Sequence, residues 1–368
     1  MLLIDNPTTA RVLTMPAVID TLEATYRDLA AGTATCRPRI DLRYPVGDGR
    51  SVYQWGTMEG GSRRSGYHAI RMKSDVVREV EYAGTRTQEK FCVEPGRFCG
   101  LVLLLSTRTG EPLALLNDGV LQHMRVGADS AIGTRYAARP DARVLGMLGS
   151  GGMARSHLEA LLTVRPIQRV QVYSPTRANR ERYAGEMSDL YGIDVVAVDE
   201  PRAVFRGADI VAGCTDAAGE VIVGDWLEPG THVTCIGGRP DARTLEVLDA
   251  WLRLGTAPSP VDDPDWRPSD EYLAYVAEPQ DPVWREHSHG RVRRPPVGAD
   301  GPRTVSFSDV LSGTDSARAG AEEITYSERG NIQGAQFFGL AGHVYERCRA
   351  LGLGRELPTD WLLQDIRD

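Results

Sequence analysis

The stretch RVLGMLGSGGMARSHLEALL, residues 143–162, constrains what this chain can fold into more than any other. An apolar run ends in a glycine-rich turn and an amphipathic helical pattern begins at once, which reads as strand, turn and helix. The pattern is Gly149-Ser150-Gly151-Gly152-Met153-Ala154, a GxGxxA variant. Gly149 permits the tight turn, Gly151 lets a diphosphate approach the backbone, and Ala154 lets the helix sit close to the strand. Gly152 and Met153 open the helix, whose N-terminus faces the negative charge. The segment therefore predicts a dinucleotide site.

Beyond this helix the chain repeats the alternation. RVQVYS reads as a second strand, TRANRERYAGEMSDLYG as a polar helix and DVVAVD as a third strand. ADIVAGCT and GTHVTCIGG are apolar runs ending in small residues. The fold class expected is α/β: a Rossmann doubly wound parallel sheet with the glycine turn at its carboxyl edge. Cys214, Thr215 and Gly237, at the ends of the later strands, are expected beside the same cofactor. The second strand ends Tyr173-Ser174-Pro175-Thr176-Arg177, with Arg180 following. No carboxylate stands there for the ribose of NAD(H), while Ser174, Thr176 and the guanidiniums of Arg177 and Arg180 suit a 2′-phosphate. NADP(H) is favoured, and NAD(H) remains open.

At 368 residues the chain is too long for one ordinary core. Residues 129–319 are expected to form the Rossmann domain. Residues 1–128 with 320–368 are expected to form a second, α+β domain. That first part holds an opening helix over 15–31 and strand-like pieces such as SVYQWGTM, GYHAIRMKSD and GLVLLLST. The TG pair in STRTGEPLALL marks a hairpin, with Gly110 at positive φ. The last segment places Phe337, Phe338, Leu340, Val344 and Tyr345 at helical spacing, a face that can return to the first domain.

A formal net charge of −8 excludes a basic field for nucleic acid or an anionic membrane. No window approaches the 18 apolar residues of a membrane span. The opening MLLIDNPTTARVL lacks a basic n-region, so no signal peptide is expected. Six scattered cysteines without a CxxC read as reduced thiols in a cytoplasmic protein. Residues 257–302 carry nine prolines, a density that predicts a surface insertion without regular structure. Within it, Arg291, Arg293 and Arg294 read as a solvated loop. His287 and His289 lack a third ligand, so no metal is expected.

Together these pieces resemble a known family. Pro38-Arg39, Lys73 in AIRMKSD and STRTGEPLALLNDGVLQHMRVGADSAIGTRYAAR are followed by the glycine turn and GADIVAGCT. CIGGRPDARTLEVLD and FSDVLSGTDSARAGAEEIT complete a series similar to the ornithine cyclodeaminase and μ-crystallin superfamily. The resemblance implies a homodimer built through the first domain, with substrate between that domain and the nucleotide. It also implies a lysine and two arginines on the substrate α-carboxylate, which fall on Lys73, Arg125 and Arg39; Arg37 and Arg43 compete for the last place. Such cations clamp a small acid, and a guanidinium holds both carboxylate oxygens.

One departure bears on the reaction. Cyclodeaminases of this family carry an aspartate just after the GG of a late strand, where Gly237-Gly238-Arg239-Pro240-Asp241 stands here. RPDAR instead resembles the non-cyclising ketimine reductases. Arg239 then suits a substrate with a second acidic group. The leading expectation is an NAD(P)H-dependent oxidoreductase acting on the Cα–N bond of a small α-imino or α-amino acid. Lys73 and Arg125 are its catalytic residues, and Lys73 or a water is the proton donor. Two alternatives stay open: a cyclodeaminase that releases ammonia using bound NAD, and a non-catalytic NADP(H)-binding protein.

Overall fold

The computed structural model describes residues 1–82, 85–217, 219–260, 263–267, 270–278, 290–293 and 301–366. The glycine turn joins the Val144–Leu148 strand to the Gly152–Val164 helix. That strand lies inside an eight-stranded sheet in which every pairing is parallel. On one side of it come Arg169–Tyr173 and then Asp194–Ala197; on the other come Ile210–Cys214 and His232–Gly237. The chain reverses its direction of travel across the sheet between Val144–Leu148 and Ile210–Cys214. Ligands of doubly wound sheets bind in the crevice outside such a reversal. Ile210–Cys214 is buried at every position, which explains why it reads as a continuous apolar run.

Three further parallel strands, Thr325–Glu328, Ala250–Arg253 and Arg303–Ser306, extend the sheet. Thr325–Glu328 carries it beyond residue 319, where the sequence pattern placed its end. The Gly152–Val164 helix buries Ala154, Leu158 and Leu161 in one cluster with Tyr183, Ala184 and Met187 of the Arg177–Tyr191 helix. Each fully buried leucine contributes about 1.5–3 kcal/mol.

A second, eleven-stranded sheet is mostly antiparallel and is built around Arg39–Pro45, Ser51–Ser62, Tyr67–Tyr82, Cys99–Ser106 and Pro112–Asn117. Alternate residues of Ser51–Ser62 point inward, so Val52, Gln54, Gly56, Met58, Gly60 and Ser62 share one face. The Gln333–Leu351 helix lies on that face and buries Phe337, Phe338, Leu340 and Val344. Its approach depends on Gly334, where a Cβ would stand 2.0 Å from the Glu59 carbonyl. Gly110, at φ +80°, closes the expected hairpin.

Between the sheets runs the Gly119–Ala137 helix, buried along most of its length. Small residues make this possible: a Cβ on Gly127 would meet the Ser156 carbonyl at 2.5 Å, and one on Gly133 would meet Ser327 Oγ at 2.2 Å.

Two expectations need correction. The strand-like piece GYHAIRMKSD is part of a longer, sixteen-residue strand, Tyr67–Tyr82, so Lys73 lies in the middle of a strand and not near its end. The proline-rich region is not free of regular structure, because Asp270–Val276 pairs parallel to Arg39–Pro45 and antiparallel to Gly290–Arg293. The prolines fall on either side of 270–276, and a proline-free run of that length can pair on both sides as a strand. Arg291 and Arg293 thus belong to a strand; Arg294, His287 and His289 lie outside the described residues. Among the described residues no helix is long and apolar enough to cross a membrane.

Candidate active site

The glycine turn is shaped by its neighbours. Gly149 adopts φ +113°, donates its N–H to the Tyr173 carbonyl at 2.8 Å, and would place a Cβ 2.1 Å from the Cys214 carbonyl. Gly237 stands as close to the next strand end, where a Cβ would fall 1.7 Å from the Thr215 carbonyl. Gly149, Cys214, Thr215 and Gly237 therefore form one continuous floor along the sheet edge. Gly151 differs: nothing lies within 4 Å of the place a Cβ would take, and no side chain caps the helix that it begins. Open space before uncapped backbone N–H groups fits a diphosphate. Gly152 faces His123, and Ser150 Oγ donates to Ser174 Oγ at 2.8 Å, tying the turn to the second strand.

At that second strand, Arg177 is exposed and pairs with Glu181 at 2.6 Å. Arg180 is buried; it donates to the Ser174 carbonyl, pairs with Asp199 at 2.9 Å and lies over the Tyr173 ring. Asp199 comes from beyond the third strand, so the carboxylate absent from the second strand's own end is supplied nearby by another segment. Thr176 precedes the Arg177–Tyr191 helix as its N-cap residue.

Next to the turn is a cavity lined by Met153, Gln122, Arg125, Asp129, Ser130, Thr234, Cys235, Ser327, Glu328 and Arg329, among others. Arg125 is 4% exposed and enters it from the Gly119–Ala137 helix. Its Nε and Nη2 donate to Gln122 Oε1 at 3.2 and 2.8 Å, Nη1 donates to Gln336 Oε1, and the guanidinium lies 4.9 Å over the Phe337 ring. Those partners are amide oxygens, and Arg125 makes no ion pair among the described residues. Burial, and then the nearby charge of Arg329, push its pKa down to about 9. A buried guanidinium whose hydrogen bonds run only to amide oxygens, with Asp129 acting on it through space, keeps positive charge that suits an anion.

Lys73 and Arg39 occupy a neighbouring cluster on the antiparallel sheet. Asp41, Gly56 and Lys73 are directly opposite one another on adjacent strands. A Cβ on Gly56 would lie 2.6 Å from both Asp41 Oδ1 and Lys73 Cε, so the glycine makes room for both side chains. Asp41 is fully buried and accepts from Arg39 Nε at 2.6 Å and from Gln54 Nε2; Arg43 stands 3.8 Å away. Lys73 lies 3.6 Å from Asp75. Burial, then the charge of Arg39, pushes the Lys73 ammonium pKa well down. Arg71, two residues earlier on the same strand face, pairs with Asp118 and reaches within 5.7 Å of the Phe337 ring that Arg125 covers. Arg71 and Phe337 thus lie between the two clusters, and the bonds of Lys73 and Arg39 run to Asp75 and Asp41 while those of Arg125 run to its two amides.

Asp41 supplies a test of this cluster. Burial alone would raise its pKa, but Arg39, then Lys73 and Arg43, hold it below the ordinary 3.8. An acid whose pKa is lower folded than unfolded stabilises the protein above the unfolded value, and loses that contribution as pH falls through the folded one. Asp41→Asn should cost about 3–5 kcal/mol at pH 7, because it leaves buried guanidiniums uncompensated. Thermal unfolding from pH 7 down to 3 should show the gap between wild type and variant narrowing below pH 4. A gap that ignores pH would exclude the carboxylate charge as its source.

The remaining expected residue, Arg239, is exposed on the short strand Arg239–Pro240, opposite Glu220, and does not line the cavity. Asp241 caps the Ala242–Val247 helix, accepting from Thr244 N at 2.7 Å and from Gly224 N at 3.0 Å. Sequence reasoning missed Asp41, Arg71, Asp129, Arg329 and Gln336. Asp129 carried a signal, since it stands four residues after Arg125 and so on the same face of the helix.

Comparison with known proteins places the chain. Residues 96–349 match the model of the ornithine cyclodeaminase/mu-crystallin family, and the chain belongs to that family. A Bacillus cereus Δ(1)-pyrroline-2-carboxylate reductase is 27% identical over 259 residues, covering 70% of this chain and 74% of that protein. The rat ketimine reductase mu-crystallin is 34% identical over 146 residues, covering 39% of this chain. That alignment, like those to two rhizobial relatives, spans only 45% of the relative's length. The Thermococcus litoralis Δ(1)-pyrroline-2-carboxylate reductase, solved in complex with NADH and L-proline, shares the fold. Its TM-score is 0.73 at 24% identity, over 97% of this chain and all of that one.

Proposed function

We propose that this member of the ornithine cyclodeaminase/mu-crystallin family is an NAD(P)H-dependent oxidoreductase that reduces the C=N bond of a small α-imino acid, or dehydrogenates the matching α-amino acid. The observation that carries this reading is Arg125: a buried guanidinium held by two amide oxygens, without an ion pair among the described residues, in a cavity that begins at the dinucleotide turn. A substrate carboxylate supplies the missing anion. Gln122 and Gln336 fix the plane of the guanidinium, and a two-point carboxylate contact fixes Cα relative to Met153 and the turn. When bound, the nicotinamide supplies the hydride equivalent that the imine carbon receives. Met153 and Ile236 give the cavity an apolar wall that limits hydrolysis of the imine.

Lys73 and Arg39 form a neighbouring cationic cluster, separated from the cavity by Arg71 and Phe337, whose positive charge favours an anionic substrate. Asp241 is committed to capping a helix and to the Gly224 N–H, so it does not supply the amine-binding carboxylate of a cyclodeaminase. The names of the Bacillus cereus and rat relatives agree with imine reduction. NADP(H) is the favoured cofactor, and Arg177 carries that preference because it is exposed and held only by the exposed Glu181, whereas Arg180 is buried on the Ser174 carbonyl and Asp199. The free thiols of all six cysteines suit a reducing cytoplasm.

A homodimer fits the outer face of the eleven-stranded sheet. Leu101, Leu103 and Leu105 alternate there with buried residues yet remain half-exposed, as do Ile70 and Met72 on the next strand. A second copy would cover this apolar face, and a monomer by sedimentation at micromolar concentration would contradict it.

The function is tested by following NADPH and NADH oxidation with cyclic imino acids, and with α-keto acids plus amines. Imine-dependent consumption with NADPH preferred is expected, and Arg177→Ala should lower that preference about tenfold. Ammonia release from diamino acids without any NADPH consumption would overturn the reading.

A further inference from the structure

The reduction of a neutral imine needs a proton at nitrogen, and Lys73 and Arg39 are not among the residues lining the cavity. Asp129 is. It stands one helical turn beyond Arg125, is 5% exposed, and lines the same space. Tyr26 Oη donates to one of its carboxyl oxygens and Gln336 Nε2 to the other. Through Oε1 the same Gln336 accepts from Arg125, so one fully buried amide holds the guanidinium and the carboxyl in a fixed relation. Arg329 Nη1 lies 4.0 Å from the carboxyl.

Among the described lining residues the other carboxyl is Glu328, which pairs with Arg253. The protons of the Thr234 and Ser327 hydroxyls are engaged as well: Thr234 Oγ1 donates to Ser130 Oγ at 2.9 Å, and Ser327 Oγ lies 3.2 Å from His232 Nε2. Thr325 Oγ1 donates to the Ala137 carbonyl and accepts from Arg318, so the His232 Nδ1–H donates to Thr325 and the Ser327 hydroxyl donates to Nε2. Ser327 thus has no proton to offer the cavity.

We propose that Asp129 is the catalytic acid that protonates the substrate nitrogen, and that Arg125 and Asp129 together recognise the carboxylate–nitrogen pair of an α-imino acid. This deepens the proposed function and rests on it. The carboxyl O–H bond breaks as an N–H bond forms from the lone pair of the imine nitrogen, and the C=N π pair moves onto nitrogen as the carbon is reduced. The imine carbon is reduced at the expense of the dinucleotide, which is oxidised, and the Asp129 carboxylate regains its proton from solvent. Burial raises the Asp129 pKa against the opposing influence of Arg329, Tyr26, Arg125 and Gln336, which keeps the carboxyl protonated to higher pH.

The test compares a neutral cyclic α-imino acid with its N-methyl iminium counterpart, which needs no proton. Asp129→Asn should lower kcat/KM on the neutral imine by about 100-fold at pH 8 and on the iminium by less than about threefold. NADPH affinity, read by fluorescence, should stay unchanged. Equal losses on both substrates would make Asp129 structural, and no loss on either would make it a bystander; both overturn the proposal. Tyr26→Phe covers the case in which Asp129→Asn fails to fold. It removes a donor to the ionised carboxyl, so the basic limb of the kcat/KM profile should move to higher pH, and an unmoved limb overturns the proposal. A wild-type protein inactive on both substrates overturns the function reading itself, and this inference with it.

Discussion

Arg125→Gln should lower kcat/KM for imino-acid reduction by about a thousandfold while leaving the unliganded protein as stable as wild type or more so. The first effect comes from removing one partner of a buried charge-assisted contact, which costs about 2–5 kcal/mol, with each factor of ten in rate worth about 1.4 kcal/mol. The second originates in the resting protein. Arg125 holds a charge against two amides and 4.9 Å over an aromatic face, with Arg329 nearby raising the potential. A base whose pKa falls to about 9 on folding opposes the folded state wherever it is charged, so removing it relieves that penalty. Glutamine can still donate to the freed amide oxygens. Calorimetry without ligand and steady-state kinetics with NADPH together check the pair of effects. A carboxylate ligand at 100 times its Kd should stabilise the wild type by about 2.7 kcal/mol and the variant far less. A variant within threefold of wild type in kcat/KM would remove Arg125 from substrate binding.

Gly149→Ala should abolish measurable dinucleotide affinity and destabilise the fold by about 3 kcal/mol or more. The added Cβ would stand 2.1 Å from the Cys214 carbonyl, at φ +113°, so both contact and backbone oppose it. Relief would require parting Val144–Leu148 from Ile210–Cys214, the two strands that flank the crevice. Gly151→Ala is the matched control. Gly151 has φ −88° and an empty surround, so alanine should leave the melting temperature within about 2 °C. It should still weaken NADPH binding, because its methyl enters the space left for the diphosphate. Thermal unfolding and fluorescence titration of both variants separate the two effects. Equal behaviour of the two glycines would contradict the geometry of the turn.

The difference between what the chain discloses in sequence and what it discloses folded lies in the distance between partners. The dinucleotide turn is legible because strand, glycines and helix are consecutive, and each has its own local requirement. Arg125 is legible because it sits in a motif leading into that unit. Its partners are not: Gln336 lies 211 residues away, and Tyr26 lies 103 residues from Asp129. Nothing in one-dimensional spacing joins three such segments. Asp41, Arg71 and Asp75 hid for another reason. Polar residues on a strand read as its solvent face, whereas here that face is covered by neighbouring strands and by the Gln333–Leu351 helix. The strand at Asp270–Val276 was concealed by the prolines on either side, although its own residues pair with Arg39–Arg43 without interruption. It also sets Tyr272 4.7 Å below the Arg39 guanidinium, a contact that no local pattern announces.

In the proposed reaction one cavity unites two events: a carboxylate held at Arg125, and reduction at the adjacent carbon. Incubation of the protein with NADPH deuterated at nicotinamide C4 and a cyclic α-imino acid tests that union, with mass and proton spectra of the product. The expected product is the amino acid carrying one deuterium at Cα, from one of the two C4 positions alone, and Arg125→Gln should yield about a thousandth as much per unit time. An unlabelled amino acid from both C4 positions, or label lost to solvent, would contradict reduction at Cα by the dinucleotide.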